Sequence, residues 1–320
     1  MRCLRCQYAG IAHTAEICPS CGATQRILCQ GTLPTGTTVH GGKYRIDVPV
    51  GRGAFAIIYR ATQATRDGEL AIKEFYPLEG ADRRDEGGAR PVVPHNAEKF
   101  QRDLEHFIRE GEILTMLHHP NLIGALDFFQ ENGTAYVVME YVDGPTLKAV
   151  LRGRASGHLG AREVEHVVGQ VVAGLEAMHR EGIYHLDIAP DNVLYTAEGR
   201  AVLTDFGAAR QGRAAGGDQP FKIEYAPVEA IAGGEVGPES DLFELAMMTH
   251  ELLTGTRPLP ALQRIGVPSL SFPALNQPWR GMLEEALHLA PDRRPGSVRE
   301  WWDAGFPAGA RSNDGGIGRD

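Results

Sequence analysis

The apolar pattern of this chain changes period near Gly144, and that change limits what it can fold into more than any other feature. Before it, short runs rich in β-branched and aromatic residues occur at Tyr44–Val50, Ala56–Thr62, Leu70–Tyr76, Leu126–Phe129 and Ala135–Tyr141, with Gly-containing turns between them. Such runs predict a mostly antiparallel sheet. One helical stretch, Phe100 to Leu117, interrupts the strands and carries Phe100, Leu104, Phe107 and Ile108 on one face. After Gly144, Val164, Val167, Val168, Val171, Val172, Leu175 and Met178 keep the three-and-four spacing of a buried helix face. A further helix is expected over Asp241–Leu253 and a short one near Ser297–Trp302. The pattern describes an α+β protein whose sheet-rich part precedes a helical part.

Four of the five cysteines fall within the first 21 residues, so their use is local. Cys3-x-x-Cys6 and Cys18-Pro-Ser-Cys21-Gly22 form two knuckles joined by a short loop, the spacing at which four thiolates reach a tetrahedral Zn²⁺. A redox Cys-x-x-Cys pair is the rival, and the presence of two pairs without a βαβ context disfavours it. Cys29 is left over as a buried or free thiol. Residues 1–30 therefore read as a zinc ribbon, with the metal supplying its folding energy. Residues 31–42, rich in Gly, Thr and Pro, read as a linker with little to bury. The stretch Leu78–Ala97 reads as a solvated loop, and the tail 307–320 as disordered.

With 320 residues, 42% apolar and 23% charged, the chain is ordinary globular material. A net charge of -9 argues against nucleic-acid binding, which depends on Lys and Arg neutralising phosphates. No apolar run approaches the ~20 residues of a spanning helix, and the N-terminus lacks a signal-peptide pattern, so a cytoplasmic protein is expected.

Three stretches carry chemistry. Gly51-Arg52-Gly53-Ala54-Phe55-Ala56 sits between two strands, where glycines let backbone N–H groups approach phosphates. Alone it also fits an ordinary hairpin. Lys73 ends the apolar run Leu70-Ala71-Ile72, and Glu110 on the following helix is placed to pair with it; Glu112 faces another side. His185-Leu186-Asp187-Ile188-Ala189-Pro190-Asp191-Asn192 is followed by Thr204-Asp205-Phe206-Gly207. Phosphoryl transfer needs a carboxylate to orient the attacking hydroxyl, and a carboxylate plus an amide to hold Mg²⁺ against the phosphates. Asp187, Asp205 and Asn192 supply those groups.

In this order, the Gly-rich loop, Lys73, Glu110, Asp187, Asn192 and Asp205 resemble the protein-kinase family over Lys43 to Phe306. The resemblance implies a two-lobed fold, with an antiparallel β-rich N-lobe over 43–142 and a helical C-lobe over 143–306. It implies ATP with Mg²⁺ or Mn²⁺ as cofactors, Asp187, Lys73 and Asn192 as catalytic residues, and Asn192 and Asp205 as metal ligands. Gly51, Gly53, Lys73, Glu110 and Asp205 fall where the family holds the phosphates and metal. Met139, Glu140 and Val142 match the hinge that binds adenine, with Met139 as gatekeeper, while Ile58, Ala71 and Leu194 match the residues that sandwich the base. Glu229 and Arg294 match a structural ion pair, and Asp241 the acid of the central C-lobe helix. The implied reaction is transfer of the γ-phosphate to Ser or Thr of protein substrates, the chain itself included, with the zinc ribbon docking a partner or the kinase domain.

Departures from the family bear on mechanism. Leu186 replaces the usual Arg that grips a phosphate on the activation segment, and from Ala208 to Pro227 that segment holds no Ser or Thr, Tyr225 being its only hydroxyl. Ala189 replaces the usual catalytic-loop Lys, but Lys222 falls where a neighbouring Thr is customary, so the charge is expected to have moved. The combination is similar to a subset of bacterial kinases with strings like Lys73-Glu74-Phe75-Tyr76-Pro77 and Asp205-Phe206-Gly207-Ala208-Ala209-Arg210. The rival readings are a pseudokinase scaffold and an aminoglycoside-type small-molecule phosphotransferase.

Overall fold

The strand-like runs of the first half form one sheet. In the computed structural model, which describes residues 3–5, 16–19, 21–84, 91–213, 222–266 and 270–307, the chain divides into two units, Met1–Ala149 and Val150–Asp320. The first holds, in order, α1 (Gln25–Leu28), β1 (Thr38–Val39), β2 (Tyr44–Arg52), β3 (Ala56–Gln63), β4 (Arg66–Phe75), β5 (Ala81–Arg83), β6 (Val92–Pro94), α2 (Ala97–Met116), β7 (Ala125–Glu131) and β8 (Thr134–Glu140). Six strands pair antiparallel in the order β1-β2-β3-β4-β8-β7.

Side chains paired across neighbouring strands share a face. Ile58 lies opposite Lys73 and Ala71 opposite Met139, so Ile58, Ala71, Lys73 and Met139 line one face of the sheet. Helix α2 begins at the N-cap Asn96, whose side chain accepts from Lys99 N–H at 2.9 Å. It buries Phe100, Leu104, Phe107 and Leu114, and the Phe100 ring lies 5.0 Å from that of Phe75. Gly111 permits this approach, because a Cβ there would lie 2.9 Å from the Phe128 ring.

Two stretches differ from expectation. The linker 31–42 packs on the sheet: Leu33 and Val39 are buried, β1 pairs with β2, and Leu33 N–H donates to Tyr59 Oη at 3.0 Å. The stretch expected as a solvated loop after Leu78 contains the β5–β6 hairpin, with Ala81 and Val92 buried. Its Arg83 reaches Glu74, which is 0% exposed, donating to both carboxylate oxygens at 2.7 Å. Tyr59 and Tyr136 also donate to Glu74, at 2.9 and 2.8 Å. The polar residue after Lys73 is thus the hub of a buried network tying the hairpin to the sheet. Arg83→Ala leaves the Glu74 charge buried without its cation and is expected to destabilise the protein by roughly 3–5 kcal/mol, read from the denaturant midpoint.

Helix α3 (Leu147–Gly153) spans the boundary of the units. The second unit then holds α4 (Ala161–Arg180), β9 (Ile183–Tyr184), β10 (Val193–Tyr195), β11 (Ala201–Leu203), β12 (Arg210–Gln211), α5 (Val228–Ile231), α6 (Pro238–Thr254), α7 (Trp279–Ala286) and α8 (Val298–Gly305). The valine stripe of α4 is buried as its period requires. From Ser240 to Leu252, α6 is buried on every side, so its polar members must find partners inside the protein. Asp241 and Glu244 find theirs in the loop that follows β9. Among the described residues no helix is long and apolar enough to cross a membrane.

Candidate active site

In the first unit, Lys73 Nζ donates to Glu110 Oε1 at 2.5 Å and lies 5.7 Å from the Phe107 ring centroid. Glu110 is buried and the rival Glu112 exposed, as the helical phase requires. Gly51 and Arg52 make the last pairs of β2, with Ile58 and Ile57, and Gly53 N–H closes the β2–β3 turn on the Ala56 carbonyl at 2.9 Å. Neither glycine needs its hydrogen for packing: a Cβ would meet only ordinary contacts, 3.4 Å from Ile58 Cδ1 at Gly51 and 3.8 Å from the Ala56 oxygen at Gly53. Met139 and Val142 are buried, with Glu140 ending β8 between them.

In the second unit, the loop after β9 hangs from α6. Asp241 is fully buried and accepts from His185 N–H at 2.9 Å, Leu186 N–H at 2.8 Å and His179 Nε2 at 2.7 Å. These bonds hold Leu186 at φ +59°, a left-handed conformation costly for a non-glycine residue. Burial lowers the His185 pKa to about 4. The neutral ring donates from Nε2 to the Thr204 carbonyl at 3.2 Å and accepts Asp187 N–H on Nδ1 at 3.3 Å.

Asp187 meets Asn192 and Lys222. Asn192 Nδ2 donates to the Asp187 carbonyl oxygen and to Oδ2, each at 2.7 Å, and Lys222 Nζ donates to the same Oδ2 at 2.7 Å. Oδ1 is buried and accepts no hydrogen bond among the described residues. Burial raises the Asp187 pKa to about 6, opposed by the Lys222 charge and helped by that of Asp205. Asp205 has φ +64°, and Leu194 sits half-buried on β10, two residues beyond Asn192. The Glu229–Arg294 pair is bidentate, at 2.7 and 3.1 Å, with the Arg294 side chain fully buried.

Leu186 packs with Tyr184, Ala208 and Val236. The activation segment is therefore joined to this loop by apolar contact where the family would use an Arg. Tyr225 is buried and its hydroxyl donates to Glu251 on α6.

Glu244 was not singled out from the sequence. It is 1% exposed, accepts Ile188 N–H on Oε2 at 2.7 Å, and burial beside Asp241 pushes its carboxyl well above the ordinary range. With Asp241 it forms a two-carboxylate cradle under the backbone on both sides of Asp187. The available signal was a Glu inside the apolar run Leu242-Phe243-Glu244-Leu245.

At the N-terminus, the sulfurs of Cys3, Cys18 and Cys21 lie within 4.8 Å of one another, those of Cys3 and Cys21 at 3.7 Å. Arg5 N–H points at Cys3 Sγ at 3.4 Å, and Gly22 takes φ +71° just after Cys21. Cys6 lies outside the described residues, as does the tail beyond Pro307, and Cys29 is exposed.

The first unit thus holds an ion-paired Lys on its antiparallel sheet, and the second an Asp–Asn pair on a loop hung from a buried helix. The family described as "Protein kinase domain" matches residues 44–296, and the chain belongs to that family. Serine/threonine-protein kinase PrkC of Bacillus subtilis is 28% identical over 230 residues, 71% of this chain and 32% of that protein. The probable serine/threonine-protein kinase SCO3848 of Streptomyces coelicolor is 30% identical over 286 residues, 81% of this chain and 39% of that one. The chain thus spans about a third to two-fifths of the length of these curated relatives. Among solved structures, the apo form of PpkA-294 superposes with a TM-score of 0.74 at 27% identity, covering 85% of this chain and 98% of that one. The PknI kinase domain of Mycobacterium tuberculosis gives 0.64 at 28% identity, over 85% and 98%.

Proposed function

We propose that this protein transfers the γ-phosphate of ATP to Ser or Thr hydroxyls of protein substrates. The observation that carries the reading is the Asp187 carboxylate, held through Oδ2 by Asn192 and Lys222 while Oδ1 is buried with no described donor. A substrate hydroxyl is the donor that fits such an oxygen. Asp187 then orients that hydroxyl and receives its proton as the oxygen attacks the γ-phosphorus and the bond from that phosphorus to the β-phosphate oxygen breaks, releasing ADP. Lys73, held by Glu110, steadies the α- and β-phosphates. The glycines at 51 and 53, which the protein's own packing does not require, leave room for phosphate against the backbone. Ile58, Ala71 and Met139, which share one sheet face, would offer apolar contact to the base, as Leu194 of the second unit would by the family resemblance, and the backbone at Glu140 and Val142 would offer hydrogen bonds. Asn192, whose Nδ2 is turned to Asp187, presents its amide oxygen, and with Asp205 it would hold Mg²⁺, which neutralises phosphate charge. Labelled-ATP transfer by wild type and Asp187→Ala, offered generic proteins, the chain itself and aminoglycosides, tests the reading. Transfer to aminoglycosides alone favours the small-molecule enzyme, and no transfer at all favours the pseudokinase.

The catalytic loop belongs to the type without the Arg switch. Leu186 packs on Ala208 and Val236 with no need of a phosphate, and Tyr225 is buried against Glu251. Phosphatase-treated enzyme is therefore expected to transfer phosphate as fast as untreated enzyme, and loss of activity with a modified site at Tyr225 would overturn this.

Cys3, Cys18 and Cys21, with Cys6 supplied by the Cys-x-x-Cys spacing, form a structural Zn²⁺ site. The buried Cys3 and Cys18 and the Arg5 N–H aimed at Cys3 Sγ suit bound thiolates, and cysteines kept for metal suit a reducing compartment such as the cytoplasm.

A further inference from the structure

The first metal knuckle touches the glycine-rich strand. Leu4 follows the first cysteine, and its carbonyl accepts the backbone N–H of Arg52 at 2.8 Å. Its side chain is buried in a small core with Cys3, Cys18, Ala23 and Leu28, so the Leu4 position is set by the cysteine centre. Arg52 is the last residue of β2 and stands between Gly51 and Gly53. The cysteine module therefore grips the strand at the point where it turns over the phosphates.

The Arg52 side chain is committed to the same junction. It is 5% exposed, its guanidinium lies 4.9 Å from the Tyr76 ring centroid, and none of its nitrogens is hydrogen-bonded among the described residues. A buried guanidinium with no acceptor stays in place only while the surrounding structure excludes water. Arg83, also at 5.0 Å from the Tyr76 ring, donates from Nε to the Gly31 carbonyl at 2.7 Å. A Cβ at Gly31 would lie 2.3 Å from Tyr76, so the exit of the module is pressed against that ring. Both ends of the module thus close on residues adjoining the glycine-rich strand and Lys73.

We infer that the cysteine-bound metal positions the glycine-rich strand, so that affinity for ATP depends on occupancy of the thiolate site to which Cys3, Cys18 and Cys21 contribute. This rests on the proposed zinc site and on ATP as the nucleotide. A module of this size does not keep a fixed shape without its metal. When the metal leaves, Arg52 N–H and guanidinium lose their surroundings, and the strand around Gly51 and Gly53 must be ordered by the nucleotide itself. Ordering the backbone of about one residue corresponds to roughly a tenfold weakening of binding.

The experiment uses the full chain and reads direct binding of a fluorescent ATP analogue, with zinc content measured on the same samples. Zinc-loaded protein is compared with protein stripped by a chelator, with stripped protein resupplied with zinc, and with zinc-loaded Arg52→Pro. That variant removes the N–H that Leu4 receives. The expected result is about tenfold weaker binding after stripping, recovery with zinc, and similar weakening in Arg52→Pro at full zinc content. Because Arg52→Pro keeps the metal, it decides the matter even if stripping unfolds the first unit; should it fail to fold, reversibility of the stripped sample decides instead. Equal affinity of loaded and stripped protein, or wild-type affinity in Arg52→Pro, overturns the inference. Purified protein without tightly held metal overturns the zinc reading itself, and zinc-loaded protein that binds no nucleotide overturns the kinase reading.

Discussion

Replacing Lys222 by Thr is expected to lower kcat by roughly 10²–10³ while leaving ATP binding largely intact, the effect of losing one preorganised charge at a reacting group. The oxygens of the γ-phosphoryl group stay anionic through transfer, so a cation fixed beside them stabilises the transition state more than one in solvent does. The usual catalytic-loop cation is absent at Ala189, and Lys222 is the ammonium found at Asp187, 2.7 Å from Oδ2. It is only a third exposed, unlike a solvated surface Lys. Adding Ala189→Lys to Lys222→Thr rebuilds the customary arrangement and is expected to recover much of the lost rate. A double-mutant cycle on kcat measures that recovery. An unchanged kcat in Lys222→Thr would end the relocated-cation reading and strengthen the pseudokinase one.

What could be read beforehand depended on how far apart the interacting residues lie in the chain. The valine stripe of α4 and the phase that puts Glu110 inward and Glu112 outward are local periodicities, and they survive folding because burial enforces them. The move of a cation from position 189 to Lys222 was expected from a paired departure from a family pattern, one residue missing and another appearing, whereas the ion pair of Lys222 with Asp187 emerges only in the structure. The β5–β6 hairpin was not legible, since each strand has three residues and its surroundings are rich in Gly, Arg and Asp. Its stability comes from Arg83 reaching a carboxylate on β4, a contact without local periodicity. The same holds for Leu33 and Val39, apolar residues too sparse to form a pattern, and for the Leu4–Arg52 bond, which joins main-chain atoms far apart in sequence. Glu244 was legible in principle, because a Glu inside a helix buried all round must have a partner.

Asp187→Asn is expected to reduce kcat by roughly 10²–10⁴, the contribution of a positioned proton acceptor. The amide preserves shape and an acceptor for Asn192 and Lys222, so folding and nucleotide affinity should change little. The wild-type pH profile carries a sharper test. Burial raises this carboxyl from 3.8 to about 6. The ionised form accepts the proton, so kcat/KM, which reports the free enzyme, should level off above about pH 6 and fall tenfold per unit below it. Between the two values the folded protein binds the extra proton, so this group favours folding at low pH and its contribution is lost as pH rises through that window. Lys222 opposes the rise in pKa, and removing it by Lys222→Thr should therefore move the acid limb to higher pH in addition to lowering the plateau. A structural role for Asp187 moves neither the limb nor its dependence on residue 222. A limb at the ordinary carboxylate value, or one unmoved by Lys222→Thr, would remove Asp187 as the proton acceptor and Lys222 as its electrostatic partner.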